Sequence, residues 1–161
     1  MVKSLHFGVL FLLAGVAFGS EVRQLSWTEL VPPKSDFELT ANAAQNGLDS
    51  MMSSAIRPPA PVVLGLDGVR VRVPGFVVPL ESDEGGDLTE FFLVPYYGAC
   101  IHVPPPPANQ IIYVKVSDKF FLKSMMDPYW VEGVLTVSSF TTDLGEAGYT
   151  LGAERIEKYE Y

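Results

Sequence analysis

Proline and glycine punctuation constrains this chain more than any other feature. Thirteen prolines and fourteen glycines are spread through 161 residues, so short elements joined by turns are expected rather than long helices. Between the breaks, the apolar pattern has the period of strands. Val69-Arg70-Val71-Arg72-Val73 alternates strictly, which puts the valines on one face and both arginines on the other. Asp67-Gly68 ahead of it is a turn signal. Pro74-Gly75 then interrupts and Phe76-Val77-Val78-Pro79-Leu80 resumes, a pattern that predicts one long strand with a bulge or sharp bend.

The remaining segments extend the same reading. Residues 81–89 form an acidic loop with Gly85-Gly86 at its tip, whose four acids do not have the spacing of a calcium loop. Residues 90–96 are apolar and aromatic, as in a strand buried on both faces. Residues 110–116 predict a further strand. In 118–126, Phe121, Leu122 and Met125 have helical spacing and predict a short helix. Strands follow at 129–137, with Gly133 as a second bulge position, and at 149–157, after a turn over 145–148. This order predicts a mainly β fold: a small five-stranded OB-like Greek-key barrel with a short helix between strands 3 and 4. A small open sheet or sandwich is the alternative.

Ahead of the barrel domain (62–161), residues 20–61 read as a partly helical N-terminal arm and proline-rich connector. Ser26-Trp27-Thr28-Glu29 has the form of a capping box, and Pro32-Pro33 stop the turn it starts. Trp27 and Leu30 lie three apart, so both are expected to face the body. A weak helix is expected at about 42–55, and Arg57-Pro58-Pro59-Ala60-Pro61 is a stiff connector.

The first nineteen residues read as a secretory signal peptide. Lys3 supplies a positive start, residues 7–16 an apolar run, and Ala17-Phe18-Gly19 the small residues before cleavage near Gly19-Ser20. Such a leader predicts export, with no stable membrane insertion after cleavage; an uncleaved N-terminal anchor is the alternative. Loss of Lys3 leaves 10 of the 11 basic residues against 19 acidic ones, a net charge of −9. Such a surface repels phosphate backbones, so nucleic acid is not expected as a partner.

One block stands outside these rules: Gly98-Ala99-Cys100-Ile101-His102-Val103, then Pro104, Pro105, Pro106 and Pro107, then Ala108-Asn109-Gln110. It holds the only cysteine of the chain and, after cleavage, its only histidine. An unpaired thiol in an oxidising compartment is buried, metal-bound, reactive or paired with another chain. In an extended segment Cys100 and His102 project from the same face, roughly 6–7 Å apart at the backbone. Thiolate and imidazole are the donors zinc or copper(I) prefers. A closed zinc site needs further ligands, with Glu81 and Glu90 the additional candidates. A second reading makes Cys100 a nucleophile with His102 as its base, although neighbours at i and i+2 stand parallel rather than in contact. A third makes Cys100 a small buried hydrophobe and the prolines scaffold. Tyr96, Tyr97, Pro104, Pro105, Pro106, Pro107, Asn109 and Gln110 would then form an aromatic and proline-rich interaction surface. No phosphate loop, paired-carboxylate spacing or Gly-x-Ser-x-Gly motif is present, and the expectation is a protein that is not an enzyme.

The chain resembles a family of short exported proteins of Gram-negative bacteria, catalogued as a domain of unknown function. The resemblance rests on Trp27, Leu30 and Pro32, on Gly75-Phe76-Val77-Val78-Pro79-Leu80-Glu81, on Phe92-Leu93-Val94-Pro95-Tyr96, on 98–107 and on Asn109-Gln110. Genes of that family often lie beside an ABC transporter of the lipoprotein-release or macrolide-exporter type and a zinc-linked periplasmic protein. The resemblance therefore implies a periplasmic address and an accessory role in envelope transport or zinc homeostasis, with an ABC transporter component as partner. It brings no catalytic residues.

Overall fold

The computed structural model describes residues 21–33, 60–99 and 106–160. The expected signal peptide and the weak helix at about 42–55 lie outside the described residues. Eight strands are present among those described: β1 (Arg23–Gln24), β2 (Val69–Ser82), β3 (Leu88–Val94), β4 (Ile112–Val116), β5 (Pro128–Thr136), β6 (Phe140–Thr142), β7 (Gly145–Ala147) and β8 (Tyr149–Lys158). Five of them close a barrel in the order β2-β3-β4-β8-β5, with β5 returning to β2. β4 and β8 run parallel, and the other barrel neighbours are antiparallel.

The long strand β2 serves two partners in turn, its first half pairing with β5 and its second with β3, and it changes over at Phe76. The register runs unbroken through Pro74-Gly75, and the irregularity falls instead between Pro79 and Ser82. Gly75 answers a different need: a methyl group there would press on the Leu93 side chain and the Val94 carbonyl. The expected bulge at Gly133 is present, as a register shift against β8 between Glu132 and Gly133.

β3 is the wall between two apolar layers. Phe91 and Leu93 point into the barrel with Val71, Val73, Val114 and Leu151. Phe92 and Val94 point outward into a second layer with Val78, Ala99, Ile111, Tyr113 and Ala147. Burial on both faces is what its unalternating sequence predicts. The hairpin β6–β7 covers this outer layer: the Phe140 ring stacks on Tyr113 at 3.6 Å and 8°, and meets Phe92 edge-on at 6.3 Å. The sequence reading has only a turn here.

The described start of the arm, residues 21–33, is integral to the barrel. β1 adds to β2 in parallel, and Leu25 and Leu30 are fully buried in the inner core. Trp27–Leu30 is a 3-10 turn rather than an α-helix. Trp27 faces the body as expected, its Nε1 donating to the Pro74 carbonyl at 2.6 Å.

The short helix expected over 118–126 does not form. Its apolar residues do not share one face: Phe120 packs on Phe91 and Tyr129, while Phe121 and Met125 are exposed. Local side-chain bonds replace helical ones, with Asp118 Oδ1 accepting from Lys119 N–H and Ser124 Oγ from Met126 N–H.

Candidate functional site

The proline-rich block joins β3 to β4, and its two described ends, Gly98-Ala99 and 106–110, are anchored. Gly98 has a φ of +82°, a left-handed turn that suits glycine. Ala99 is buried in the outer layer and Pro106 is buried as well. Cys100, His102, Pro104 and Pro105 lie outside the described residues.

Past Pro106 the chain is latched. Pro107 is exposed and caps a 3-10 turn over Ala108–Gln110. The Ala108 carbonyl accepts from Gly148 N–H at 2.7 Å, joining the block to the start of β8. Asn109 is 4% exposed, and its Nδ2 donates to the Pro61 carbonyl at 2.8 Å. Its Oδ1 has no hydrogen-bond partner among the described residues. Gln110 Nε2 donates to the Trp27 carbonyl at 2.8 Å and to the Asn109 carbonyl at 3.0 Å. These two amides tie connector and arm to the barrel, so they work as struts. A groove of about 350 Å³ runs past them, lined also by Val31, Pro32, Ala60, Pro61 and Pro107.

Tyr96 and Tyr97, expected on an interaction surface, are exposed side by side just ahead of the block. Tyr97 is steadied by Phe76, edge to face at 6.2 Å.

Glu81 and Glu90, expected as additional metal ligands, sit opposite each other across β2 and β3. Glu90 is half-buried and accepts a hydrogen bond from the Tyr113 hydroxyl. Burial, then that bond and the two carboxylate charges, push the Tyr113 phenol above its ordinary range. Lys115 stands opposite Glu90 on β4, its Nζ 5.6 Å from the Tyr113 ring. Among the described residues no group of three or more His, Cys, Asp or Glu side chains is placed to hold a metal ion. The acidic tip closes on itself: Asp83 Oδ1 accepts from Gly85 N–H at 2.9 Å and Asp87 N–H at 3.0 Å.

Tyr149 was not singled out by sequence reasoning. Fully buried, it donates its hydroxyl to the Leu30 carbonyl at 2.8 Å and accepts from Val63 N–H at 2.7 Å. A tyrosine opening a strand gives no sign of such reach; its partners lie 119 and 86 residues away.

Comparison with known proteins adds a family and no activity. No curated protein matches the chain. The crystal structure of a DUF3299 family protein from Pseudomonas aeruginosa PAO1 is 42% identical, covering 88% of this chain and 98% of that one, with a TM-score of 0.70. An OBody solved bound to hen egg-white lysozyme is 14% identical over 66% of this chain and 96% of its own, with a TM-score of 0.36. Residues 27–158 match the family described as "Protein of unknown function (DUF3299)". The match takes in the arm from Trp27 on and nearly all of the barrel, and the chain belongs to the DUF3299 family.

Proposed function

We propose that this is an exported, periplasmic accessory protein without enzymatic activity, serving an envelope ABC transporter or a zinc homeostasis system. Its working element is the 98–110 block, with Cys100 and His102 as a zinc-binding pair. The observation that carries this reading is the burial of Ala99 and Pro106 on either side of the pair. Anchors at both ends of a proline-stiffened span of 100–105 lower the entropy cost of bringing two ligands together. Thiolate and imidazole fit zinc, and the remaining positions fall to carboxylate, water or a second chain. Glu81 is the freer of the two carboxylates, because Glu90 already accepts from Tyr113. The barrel is read as OB-like: the order β2-β3-β4-β8-β5 with a parallel β4–β8 pair supports that assignment. Net charge argues against nucleic acid as a partner.

Native mass spectrometry of the mature protein purified without chelator tests the metal site, beside a Cys100→Ala/His102→Ala variant. Zinc retained by the wild type and lost by the variant is the expected result. A wild type that carries no metal and takes up no added zinc overturns it. A second reading, an interaction module with the block as scaffold, is favoured by the exposed Tyr96 and Tyr97 beside it, and it is the reading left standing by that outcome.

A further inference from the structure

We propose that the loop joining β4 to β5 (residues 117–127) is a pre-shaped docking tip for a protein partner. The partner's surface offers an apolar cleft, with acidic groups on the side facing Lys119 and Lys123 and basic groups on the side facing the 83–87 hairpin. This tip and the 98–110 block lie at opposite ends of β4, and the proposal does not depend on metal binding at the block.

Three large apolar side chains project from the loop into water: Phe121 is 64% exposed, Met126 69% and Met125 48%. Burying side chains of this size gains about 1.5–3 kcal/mol each, and the loop leaves that gain unused. Its shape is nevertheless held. Phe120 and Leu122 pack against the inner core on either side of Phe121. The Phe120 carbonyl accepts from Leu88 N–H at 2.8 Å, and the Tyr129 hydroxyl donates to the Ser124 carbonyl at 3.3 Å. Phe121 is thus held outward by its neighbours, and a held side chain loses little freedom on binding. Methionine suits such a surface because its unbranched thioether adapts to an apolar partner.

Charge selects the partner. Lys119 and Lys123 are exposed, whereas Asp127 is paired with Lys158 at 2.8 Å and Asp118 caps a loop amide. Beside the tip, Glu81, Asp83, Glu84 and Asp87 crowd the hairpin that the Leu88–Phe120 bond joins to it. On an anionic bilayer each nearby charge counts for about 1 kcal/mol, so the four acids outweigh the two lysines. A protein surface with charges of both signs is compatible with both sides of the tip; a phosphate-headgroup layer is not.

The test places p-benzoylphenylalanine at position 121 of the full chain in its native host, with position 134, exposed on the barrel wall, as control. The expected result is one discrete adduct from 121 that is absent from 134. The captured protein, once purified, then binds the wild type about tenfold or more tightly than it binds Phe121→Ser, and Lys119→Glu/Lys123→Glu weakens binding with a reduced salt dependence. Equal urea midpoints for wild type and Phe121→Ser confirm that the fold is intact. The proposal is overturned by no adduct at 121, or by unchanged affinity in Phe121→Ser. It is also overturned by Phe121-dependent flotation with phosphatidylethanolamine–phosphatidylglycerol vesicles, which makes the tip a membrane contact. Phe121-dependent dimerisation of the purified chain, which makes the partner a second copy, does the same.

Discussion

Glu29 shows how much local order one carboxylate provides. It accepts from the Ser26 backbone N–H, from Ser26 Oγ and from Arg23, each at 2.8 Å. The Ser26 backbone bond, then the Arg23 bond, hold its pKa down to about 2 from 4.5. A depressed carboxylate pKa stabilises the fold above the unfolded value, and the gain is lost as pH falls through the folded one. Glu29→Gln is therefore expected to lower the urea midpoint at pH 7, by about 0.5 kcal/mol after screening of a side chain 40% exposed. The difference from wild type should close between about pH 4.5 and 2; a gap that persists at the acid end contradicts this account. Two glycines in adjacent strands make a sharper contrast. A methyl group at Gly133 would collide with the Gly152 carbonyl, whereas one at Gly152 meets nothing within 4 Å. Gly133→Ala should cost about 3 kcal/mol or more, and Gly152→Ala less than about 0.5 kcal/mol, both read from equilibrium denaturation.

At the scale of elements, the hairpin β6–β7 is small but closes the outer apolar layer. Replacing Phe140 with Ala removes a stacked ring and an edge contact, and should cost about 2–3 kcal/mol. Thr141→Ala, exposed on the same strand, should change stability by less than about 0.5 kcal/mol. Near-UV circular dichroism would register loss of the Tyr113–Phe140 stack in the first variant and not in the second. This hairpin was also the hardest element to read. Its strands are three residues each, too short for a period-2 pattern to register, and Phe140 is fixed by Tyr113 and Phe92, which are remote in sequence. The five long strands were legible because alternation in β2 and unbroken apolar runs in β3 and β4 report burial directly. The helix expected over 118–126 failed for the opposite reason: helical spacing was present, but the barrel holds Phe120 inward and leaves Phe121 and Met125 outside. Site legibility divides the same way. Exposure of Tyr96 and Tyr97 follows from their place at a strand end, whereas the strut roles of Asn109 and Gln110 depend on carbonyls 48 and 83 residues earlier.

For the whole molecule, the decisive question is whether arm and barrel are one cooperative unit. Read from sequence, residues 20–61 look separable, because prolines set them apart from the strands. In the structure the described part of them, 21–33 and 60–61, is sewn in at several points. Leu25 and Leu30 complete the inner core, Trp27 bonds to β2, and Gln110 bonds back to Trp27. Tyr149 holds the arm and the segment just past the connector with one hydroxyl, through Leu30 and Val63. Tyr149→Phe leaves a buried carbonyl and a half-buried amide without that partner and should cost about 1–3 kcal/mol. The two tryptophans of the chain separate the regions, Trp27 in the arm and Trp130 in β5. In a Trp130→Phe variant, fluorescence follows the arm while far-UV circular dichroism follows the barrel strands. Coincident urea midpoints for the two signals are expected, because removing the arm would open the inner core at Leu25 and Leu30. Fluorescence lost at a lower urea concentration than the dichroism would mean that the arm detaches from an intact barrel. The amide struts at Asn109 and Gln110 would then hold nothing together, and the anchoring of the proline-rich block would have to rest on Ala99, Pro106 and the Ala108–Gly148 bond.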